Sequence, residues 1–179
     1  MEIDETYVGG KAINSSFDPV TKTLRTKFSN KTPVVSLVQR DGTKRSMVIE
    51  RVTAVNLGAA IAENVAQGAR VHTDDSRLYF KVKGTHEHHA VNHSKKEYAR
   101  RENGFTAHTN TVESSFSLLK RGVYGTFHSV SKKHLPLYLA EFDHRWNTRK
   151  VSDGERTVAG LAKAKGKRLT YRAIKTARR

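Results

Sequence analysis

The sequence lacks cysteine and long apolar runs. With no cysteine among 179 residues, disulfide bonds and cysteine-ligated zinc sites are excluded. No run approaches the roughly 18 apolar residues that a transmembrane helix requires. The first residues also lack the basic start and apolar core of a secretory signal peptide. These absences favour a cytoplasmic protein with no membrane partner, built as one domain of ordinary size.

Acidic residues are scarce relative to basic ones. Seventeen Asp and Glu residues face 33 Lys and Arg residues, which gives a formal net charge of +16. Such an excess creates a positive field that attracts nucleic acid largely independently of its sequence. The composition therefore predicts a nucleic-acid partner, with a basic protein that binds no polyanion as the alternative.

Hydrophobic patterning predicts a mixed α/β fold in which a sheet of about five strands is flanked by helices. A turn at Asp41 and Gly42 joins two apolar runs and predicts a β-hairpin. Pro33 is expected to close a loop insertion before this hairpin. The expected strands are 2–8, 34–39, 46–52, 69–73 and 88–93, and the loop insertion is 9–33.

Three helices are expected as well. Asn56 is the expected cap of the first, which runs to about residue 67 before Gly68 ends it. The second runs over 111–121, and the third over 132–149 with a proline in its first turn. Between the last strand and the second helix, 94–107 is expected to be a mobile basic loop.

Three carboxylates lie where a sheet and a helix could bring them together. Asp4 is inside the first strand, Asp74 follows the fourth, and Glu113 begins a helix. Mg²⁺ takes oxygen ligands, and two such ions about 3.5–4 Å apart can stabilise both reacting oxygens of a phosphoryl displacement. In a strongly basic chain, this order of acids predicts Mg²⁺-dependent chemistry on a polyanion.

Glu113 shares one helix face with Ser117 and Lys120, because the three are spaced at i, i+4 and i+7. The apolar stripe that begins at Val112 lies about 100° away. The helix can therefore bury one face and present Glu113 to a metal ion and Lys120 to a phosphate.

Each acid also has a purely structural interpretation. Asn110 and Glu113 match a capping box, Asp74 can cap a turn, and Asp4 can be an exposed acid of an edge strand. Singly, the structural interpretation is favoured for each, whereas their joint order favours a metal site. Asp75 competes with Asp74 as the second acid.

Five blocks of sequence, in the right order, resemble the signature blocks of bacterial insertion-sequence transposases of the ISXO-like DDE branch. Together they span residues 2–149. The residues that carry the resemblance are 3–11, 72–74, 108–113 through 118–122, 125–128 with 133–135, and 138–142 through 145–149.

The resemblance implies an RNase H-like fold and a DDE mechanism. Asp4 would be the metal-bridging first acid, Asp74 the second and Glu113 the third, accompanied by Lys120. Some members carry Asn as the third ligand, so Asn110 competes with Glu113. Two Mg²⁺ ions are expected, with Mn²⁺ as a substitute. Water would cut the element end, and the freed 3′-OH would attack target DNA.

The same resemblance implies a catalytic domain over 1–150, a basic C-terminal tail over 151–179, and DNA partners in the form of transposon ends and target. A homodimer or larger assembly would hold paired ends. The candidate DNA-binding residues are lysines and arginines outside the acid cluster. They are Lys11, Lys95, Lys96, Arg121, Arg145 and Arg149.

Four histidines invite a zinc interpretation, but alternation along a strand would divide them between two faces, so a surface strand and loop is predicted instead. They are His86, His88, His89 and His93.

Two other functions fit the same residues: an inactive or domesticated transposase fragment that only binds DNA, and a hydrolytic RNase H-like nuclease. Relatives usually carry an N-terminal zinc-ribbon-like or helix-turn-helix module that recognises element ends, whereas this sequence opens on its first strand. We therefore expect this chain alone not to bind element ends specifically. A truncated copy, a misplaced start codon and an isolated catalytic domain all remain open as origins.

Overall fold

Valine and threonine recur in the strands of the central sheet, because β-branched side chains pack well on a pleated surface. The computed structural model of the protein describes residues 1–10, 16–17, 20, 24–25, 30–102 and 104–167. The chain divides into two compact units, Met1–Asn147 and Thr148–Arg179.

Nine strands are described. They are β1 Glu2–Gly9, β2 Ser16–Phe17, β3 Leu24–Arg25, β4 Lys31–Val38, β5 Lys44–Val48, β6 Arg70–Asp74, β7 Glu87–Val91, β8 Ala99–Glu102 and β9 Phe105–His108. Five form one sheet in the order β5-β4-β1-β6-β7. β1 is antiparallel to β4 and parallel to β6, and β6 is parallel to β7.

The described helices are α1 Ala54–Asn64, α2 Asn110–Gly122, α3 Leu135–Asn147 and α4 Asp153–Ala164. A π-helical turn over Val123–Phe127 continues α2, and 3₁₀ turns occupy Arg77–Gly84 and His93–Lys95. In the part of the chain that the structure describes, no helix has the length and apolar character needed to cross a membrane.

Helices cover both faces of the sheet. On one face, α1 packs on apolar residues of β1, β4 and β6. On the other, α2 and α3 enclose a second core, whose buried members are Val8, Val34, Val38, Val112, Phe116, Leu119, Val123, Leu135 and Leu139. The predicted fold class, an RNase H-like mixed sheet flanked by helices, is confirmed.

The hairpin of β4 and β5 forms as expected but with other boundaries. Pro33 lies inside β4, opposite Tyr7 of β1, so the preceding loop ends earlier than predicted. Proline has no N–H to donate, but its carbonyl accepts from the N–H of Ile49 at 3.1 Å. β5 ends at Val48, short of the predicted residue 52.

Helix α1 begins and ends earlier than predicted. Thr53, not Asn56, is its N-cap, and the Thr53 hydroxyl accepts from the backbone N–H of Asn56 at 3.2 Å. The helix ends at Asn64, because the next residue adopts an extended conformation. The predicted third helix also starts late, at Leu135, with Pro136 in its first turn as expected.

The prediction of a mobile loop over 94–107 is wrong, because β8 and β9 form an antiparallel hairpin there. Arg100 forms ion pairs with Glu97 and Glu102. Charged residues of the kind common in loops therefore stabilise a strand here. Gly104 has φ +81°, and the sequence pair Asn-Gly that it completes is the turn signal that could have revealed the hairpin.

The second unit contains a helix that the sequence analysis did not predict. α4 starts with a capping box in which the Ser152 hydroxyl accepts from the N–H of Glu155, and the Glu155 carboxylate accepts from the N–H of Ser152. Residues 168–179 lie outside the described residues.

Candidate active site

The register between two parallel strands places Asp4 and Asp74 at the same level of the sheet. Glu2 of β1 pairs with His72 of β6, and each acid lies two residues further along its strand. Because side chains alternate along a strand, Asp4 lies on the same face of the sheet as Glu2, and Asp74 lies on the same face as His72. With neighbouring strands about 4.8 Å apart, both carboxylates project from the face that β1 presents to α2.

A buried carboxylate holds the start of α2 against β1. Glu2 is 0% exposed, and its Oε2 accepts from the backbone N–H groups of Thr111 at 2.8 Å and Val112 at 3.1 Å. The first N–H groups of a helix lack partners within it and carry partial positive charge, so an acid at this position caps the helix. Glu113 lies in that turn, and Glu2 thereby fixes it relative to the strand of Asp4.

Arg40 completes this arrangement. Its Nε donates to Glu2 Oε1 at 2.7 Å, and its terminal nitrogens donate to the carbonyls of Thr106 at 2.6 Å and His108 at 3.1 Å. One guanidinium therefore joins β1 to β9. Neither Glu2 nor Arg40 is among the residues predicted from the sequence. Glu2 is two residues before Asp4 and therefore on the same face of the strand, which is a signal for a buried acid.

Glu113 is held by two neighbours. Its Oε1 accepts from the Thr109 hydroxyl at 2.9 Å and lies 3.5 Å from His93 Nε2. Asn110 is exposed at the first position of α2. The capping-box interpretation of Asn110 and Glu113 is wrong, because the N-cap is Thr109, which makes no side-chain capping bond, and Glu2 caps the helix instead.

The predicted division of α2 into two faces is confirmed. Val112, Phe116 and Leu119 are buried, whereas Ser117 and Lys120 are exposed. Glu113 is half-buried beside the exposed face, so the helix presents an acid and a lysine while its apolar stripe joins the core.

The acids influence one another electrostatically. Burial raises the pKa of Asp4 to about 7. Three neighbouring carboxylates push the pKa in the same direction, and they are Glu5, Asp74 and Glu113. Burial also raises the pKa of Asp74, and Glu113 adds to that effect. Several carboxylates close together in a partly buried place are typical of functional sites, because a bound cation offsets the repulsion between them.

Asp74 and Asp75 have different surroundings. Asp74 Oδ1 accepts from the N–H of Ser76 at 3.2 Å, at the carboxyl end of β6. Asp75 is exposed, and its Oδ2 accepts from Asn92 Nδ2 at 2.7 Å. Asp74 therefore lies at the level of Asp4, whereas Asp75 bonds the chain that follows β7.

Glu5 is a fourth acid, on the opposite face of β1 from Asp4. Its Oε2 accepts from the Tyr79 hydroxyl at 2.5 Å. Burial raises the pKa of Glu5, which the Tyr79 hydrogen bond opposes, and burial raises the pKa of Tyr79 well above its usual value. Tyr79 therefore stays a donor and ties the turn after Asp74 to β1.

The donor set agrees in chemistry with a hard divalent cation, since carboxylate oxygens are its preferred ligands. Among the residues that the structure describes, no group of three or more His, Asp or Glu side chains is arranged so that it could hold a metal ion. Glu113 is instead bonded to Thr109.

Several of the predicted DNA-binding residues are exposed in the first unit. Lys95 and Lys96 lie at the turn after β7, and Arg121 lies one residue beyond Lys120 in α2. Arg145 is exposed on α3 and forms an ion pair with Glu141 at 2.6 Å. Arg149 is exposed in the second unit, and Lys11 lies outside the described residues.

The predicted surface position of the histidines is only partly right. β7 is an edge strand, but His89 is 17% exposed, because its ring contacts Phe105 of the β8–β9 hairpin at a centroid distance of 4.7 Å. His89 Nδ1 lies 2.6 Å from Glu102 of the same hairpin, and His86 is buried. His89 therefore joins the hairpin to the sheet.

A comparison with protein families matches residues 1–147 to the ISXO2-like transposase domain. The match spans the first unit and includes all three acids. No curated protein matches the chain.

Proposed function

Since the chain belongs to the ISXO2-like transposase family, we propose that its first unit is the catalytic domain of an insertion-sequence transposase that cuts and joins DNA strands. The proposal is supported by the elements that carry Asp4, Asp74 and Glu113. Strand register sets the first two at one level of the sheet, and the Glu2 cap ties the start of the helix that bears the third to the strand of Asp4. A net charge of +16 fits a DNA substrate.

We assign Asp4, Asp74 and Glu113 as the ligands of divalent ions, two Mg²⁺ with Mn²⁺ as substitute. When bound, such ions neutralise charge on the reacting phosphate and lower the pKa of a water molecule. The protein's own part is to hold the three carboxylates and the DNA in place. Asn110 is the weaker candidate for third ligand, because it is exposed at the helix start.

Lys120 is assigned to the phosphate beside the acids. It is exposed on the same face of α2 as Glu113 and lies about two turns further along the helix. A lysine there offers three donors and a positive charge to a phosphate oxygen. Positioning and charge neutralisation of this kind account for most phosphoryl-transfer catalysis, and no covalent nucleophile is needed.

Basic residues further from the acids would hold the DNA backbone. Lys95, Lys96 and Arg121 are exposed in the first unit. Arg145 is exposed too, and its positive charge is partly neutralised by the ion pair with Glu141. We propose 1–150 as the catalytic domain and 151–179 as a basic tail that adds non-specific affinity. Transposon ends and target DNA are the proposed partners, held by a dimer or larger assembly.

The proposed activity is tested with a duplex that ends in a pre-cut 3′-OH, a plasmid target and Mn²⁺. Wild type is compared with Asp4→Asn, and Asp75→Asn is the control at a neighbouring exposed acid. We expect joining by wild type and by Asp75→Asn, and none by Asp4→Asn. DNA binding should survive in all three proteins, because the basic residues are unchanged.

Other results identify the competing functions. Cleavage without joining that disappears in Asp4→Asn would indicate a hydrolytic nuclease. DNA retention with neither cleavage nor joining in wild type would contradict the proposal and favour a fragment that only binds DNA.

A further inference from the structure

The exposed face of α2 continues beyond the acid and lysine to an aromatic residue. Glu113, Ser117, Lys120 and Tyr124 follow one another at intervals of four, three and four residues. At 3.6 residues per turn, this spacing keeps Ser117 and Lys120 within about 40° of the line of Glu113, and Tyr124 follows in the π-helical turn that continues α2. Ser117 and Lys120 are exposed, and Tyr124 is 54% exposed.

Tyr124 borders a cavity of about 470 Å³, here called the distal cavity. Gly9 and Gly10, at the end of β1, contribute backbone without side chains to its lining. Gly9 has φ +130°, a conformation that residues with a side chain rarely adopt. Val123 adds a buried apolar residue, and Lys31 adds a cation. Backbone, an apolar side chain, a cation and an aromatic ring therefore line one cavity, which is a lining that suits a flat base.

The distal cavity lies in line with the acids. β1 and α2 run in the same direction, since Glu2 bonds the start of α2 while Val8 and Val123 share one core. Eleven residues of helix separate Glu113 from Tyr124, which is about 16 Å. That distance corresponds to about five nucleotides at the rise of a B-form strand, and to fewer in an extended strand.

We propose that the distal cavity binds one unstacked nucleobase of the DNA strand whose reacting phosphate lies at the three acids. Tyr124 stacks on the base, and Lys31 and Lys120 contact the strand's phosphates. The placement of the strand rests on the proposed function. Stacking on an aromatic residue beside basic groups suits nucleic acid of any sequence, because every base has a π-face. An apolar protein segment fits less well, because Lys31 lines the cavity and Lys120 precedes Tyr124 on the same face, and both are positively charged.

The test uses a short single-stranded oligodeoxythymidine that carries one 5-iodouracil, with the full chain as the protein. After irradiation and trypsin digestion, we expect the cross-link on Tyr124, within the peptide 122–132 that follows Arg121. Affinity for the same probe is measured by fluorescence anisotropy. Tyr124→Ala should bind about 5- to 150-fold more weakly, the effect of losing one base stack.

Two matched variants separate stacking from general effects. Tyr124→Phe keeps the ring and should retain affinity and the cross-link. Phe80→Ala removes another exposed aromatic side chain, 60% exposed and outside the distal cavity, and should bind like wild type. Circular dichroism of each variant confirms that the fold is retained.

The proposal is overturned if Tyr124→Ala binds and cross-links like wild type, or if its loss of affinity is matched by Phe80→Ala. It is also overturned if Tyr124→Ala changes the sedimentation of the protein but not DNA affinity, which would make this face a contact between copies of the chain. Joining by wild type in the parallel Mn²⁺ assay reports the proposed function separately. If Tyr124→Ala does not weaken binding while wild type still joins strands, only the proposal of a base bound in the distal cavity is refuted, and the proposed function stands.

Discussion

Glu2 shows how a single buried residue organises the candidate site. It accepts hydrogen bonds from Arg40 and from the first turn of α2, and none of its surface reaches solvent. A buried charge is tolerated only when its partners satisfy it. The partners Thr111 and Val112 belong to the helix that carries Glu113, so these bonds tie that helix to the strand of Asp4, whereas Arg40 joins the same carboxylate to β9.

Replacing Glu2 with Gln tests this role. Glutamine keeps the size of the side chain but removes its charge and points an N–H₂ group at existing donors. We expect the free energy of unfolding to fall by about 2–4 kcal/mol, the range for breaking a partly buried ion pair and its hydrogen bonds. Urea unfolding measures it. Glu141→Gln, which breaks the exposed pair with Arg145, is the control and should change stability little.

An equal effect of Glu2→Gln and Glu141→Gln would show that the cap is not a structural support.

His72 makes the stability of the fold depend on pH. It is buried against the rings of His89 and Phe105, and burial lowers its pKa to about 3, with the positive charge of Arg40 adding to the effect. In the unfolded chain, the imidazole of His72 takes up a proton near pH 6.5, whereas in the folded protein it stays neutral until a much lower pH. The contribution to stability is therefore complete above about pH 6.5 and is lost as the pH falls towards 3.

His72→Phe should remove this dependence. Between pH 6 and 4, the free energy of unfolding of wild type should fall relative to that of the variant by up to about 1.4 kcal/mol per pH unit. Urea unfolding at several pH values checks it, with the exposed His134→Gln as the control that keeps the wild-type slope. Parallel curves for wild type and His72→Phe would contradict the assignment.

At the scale of elements, the contact between α2 and α3 depends on a glycine. A Cβ atom built on Gly122 would lie 2.3 Å from Cζ of Phe142, so the absence of a side chain on α2 makes room for a ring of α3. α3 is in turn joined to β5, since Asp143 accepts from the N–H of Ser46 at 2.5 Å and Lys44 lies 3.5 Å from the same carboxylate. The helix bearing Glu113 is therefore supported through this contact.

Gly122→Ala should lower the free energy of unfolding by about 1–3 kcal/mol through overpacking against Phe142. Gly58→Ala, in α1, is the matched control, because a Cβ there meets nothing within 4 Å. It should raise stability by up to about 1 kcal/mol, since alanine favours a helix over glycine. Thermal unfolding of both variants gives the comparison. A stabilising effect of Gly122→Ala would show that the two helices do not pack in this way.

At the scale of the whole molecule, the parts predictable from sequence were those set by local pattern. The strand before Asp74 and the apolar stripe of α2 follow from residue spacing, because hydrophobic periodicity depends on near neighbours. The contact between Glu2 and Thr111 joins residues 109 positions apart, and only the strand register and helix placement together create it. Spacing alone could not show it.

The hairpin of β8 and β9 was missed for a different reason. Its strands are stabilised by ion pairs of Arg100 and by the guanidinium of Arg70, which lies 3.8 Å from the ring centre of Phe105. Charged residues count against a strand when they are judged one at a time, whereas here Arg100 is paired with acids of its own strand and of the residues just before it. The order of the acids was predictable, and the orientation of Glu113 towards Thr109 was not.

The central claim is that Asp4, Asp74 and Glu113 together hold the divalent ions. Mn²⁺ binding, followed by electron paramagnetic resonance, tests it in wild type, Asp4→Asn, Asp74→Asn and Glu113→Gln, with Asp75→Asn as the control. Each of the three substitutions should weaken Mn²⁺ binding by at least about tenfold. Loss of a residue that only hydrogen-bonds a metal ligand already lowers affinity by about that factor, and loss of a ligand itself should cost no less. Asp75→Asn should bind like wild type. Unchanged binding in the three variants, or an equal loss in Asp75→Asn, would contradict the account.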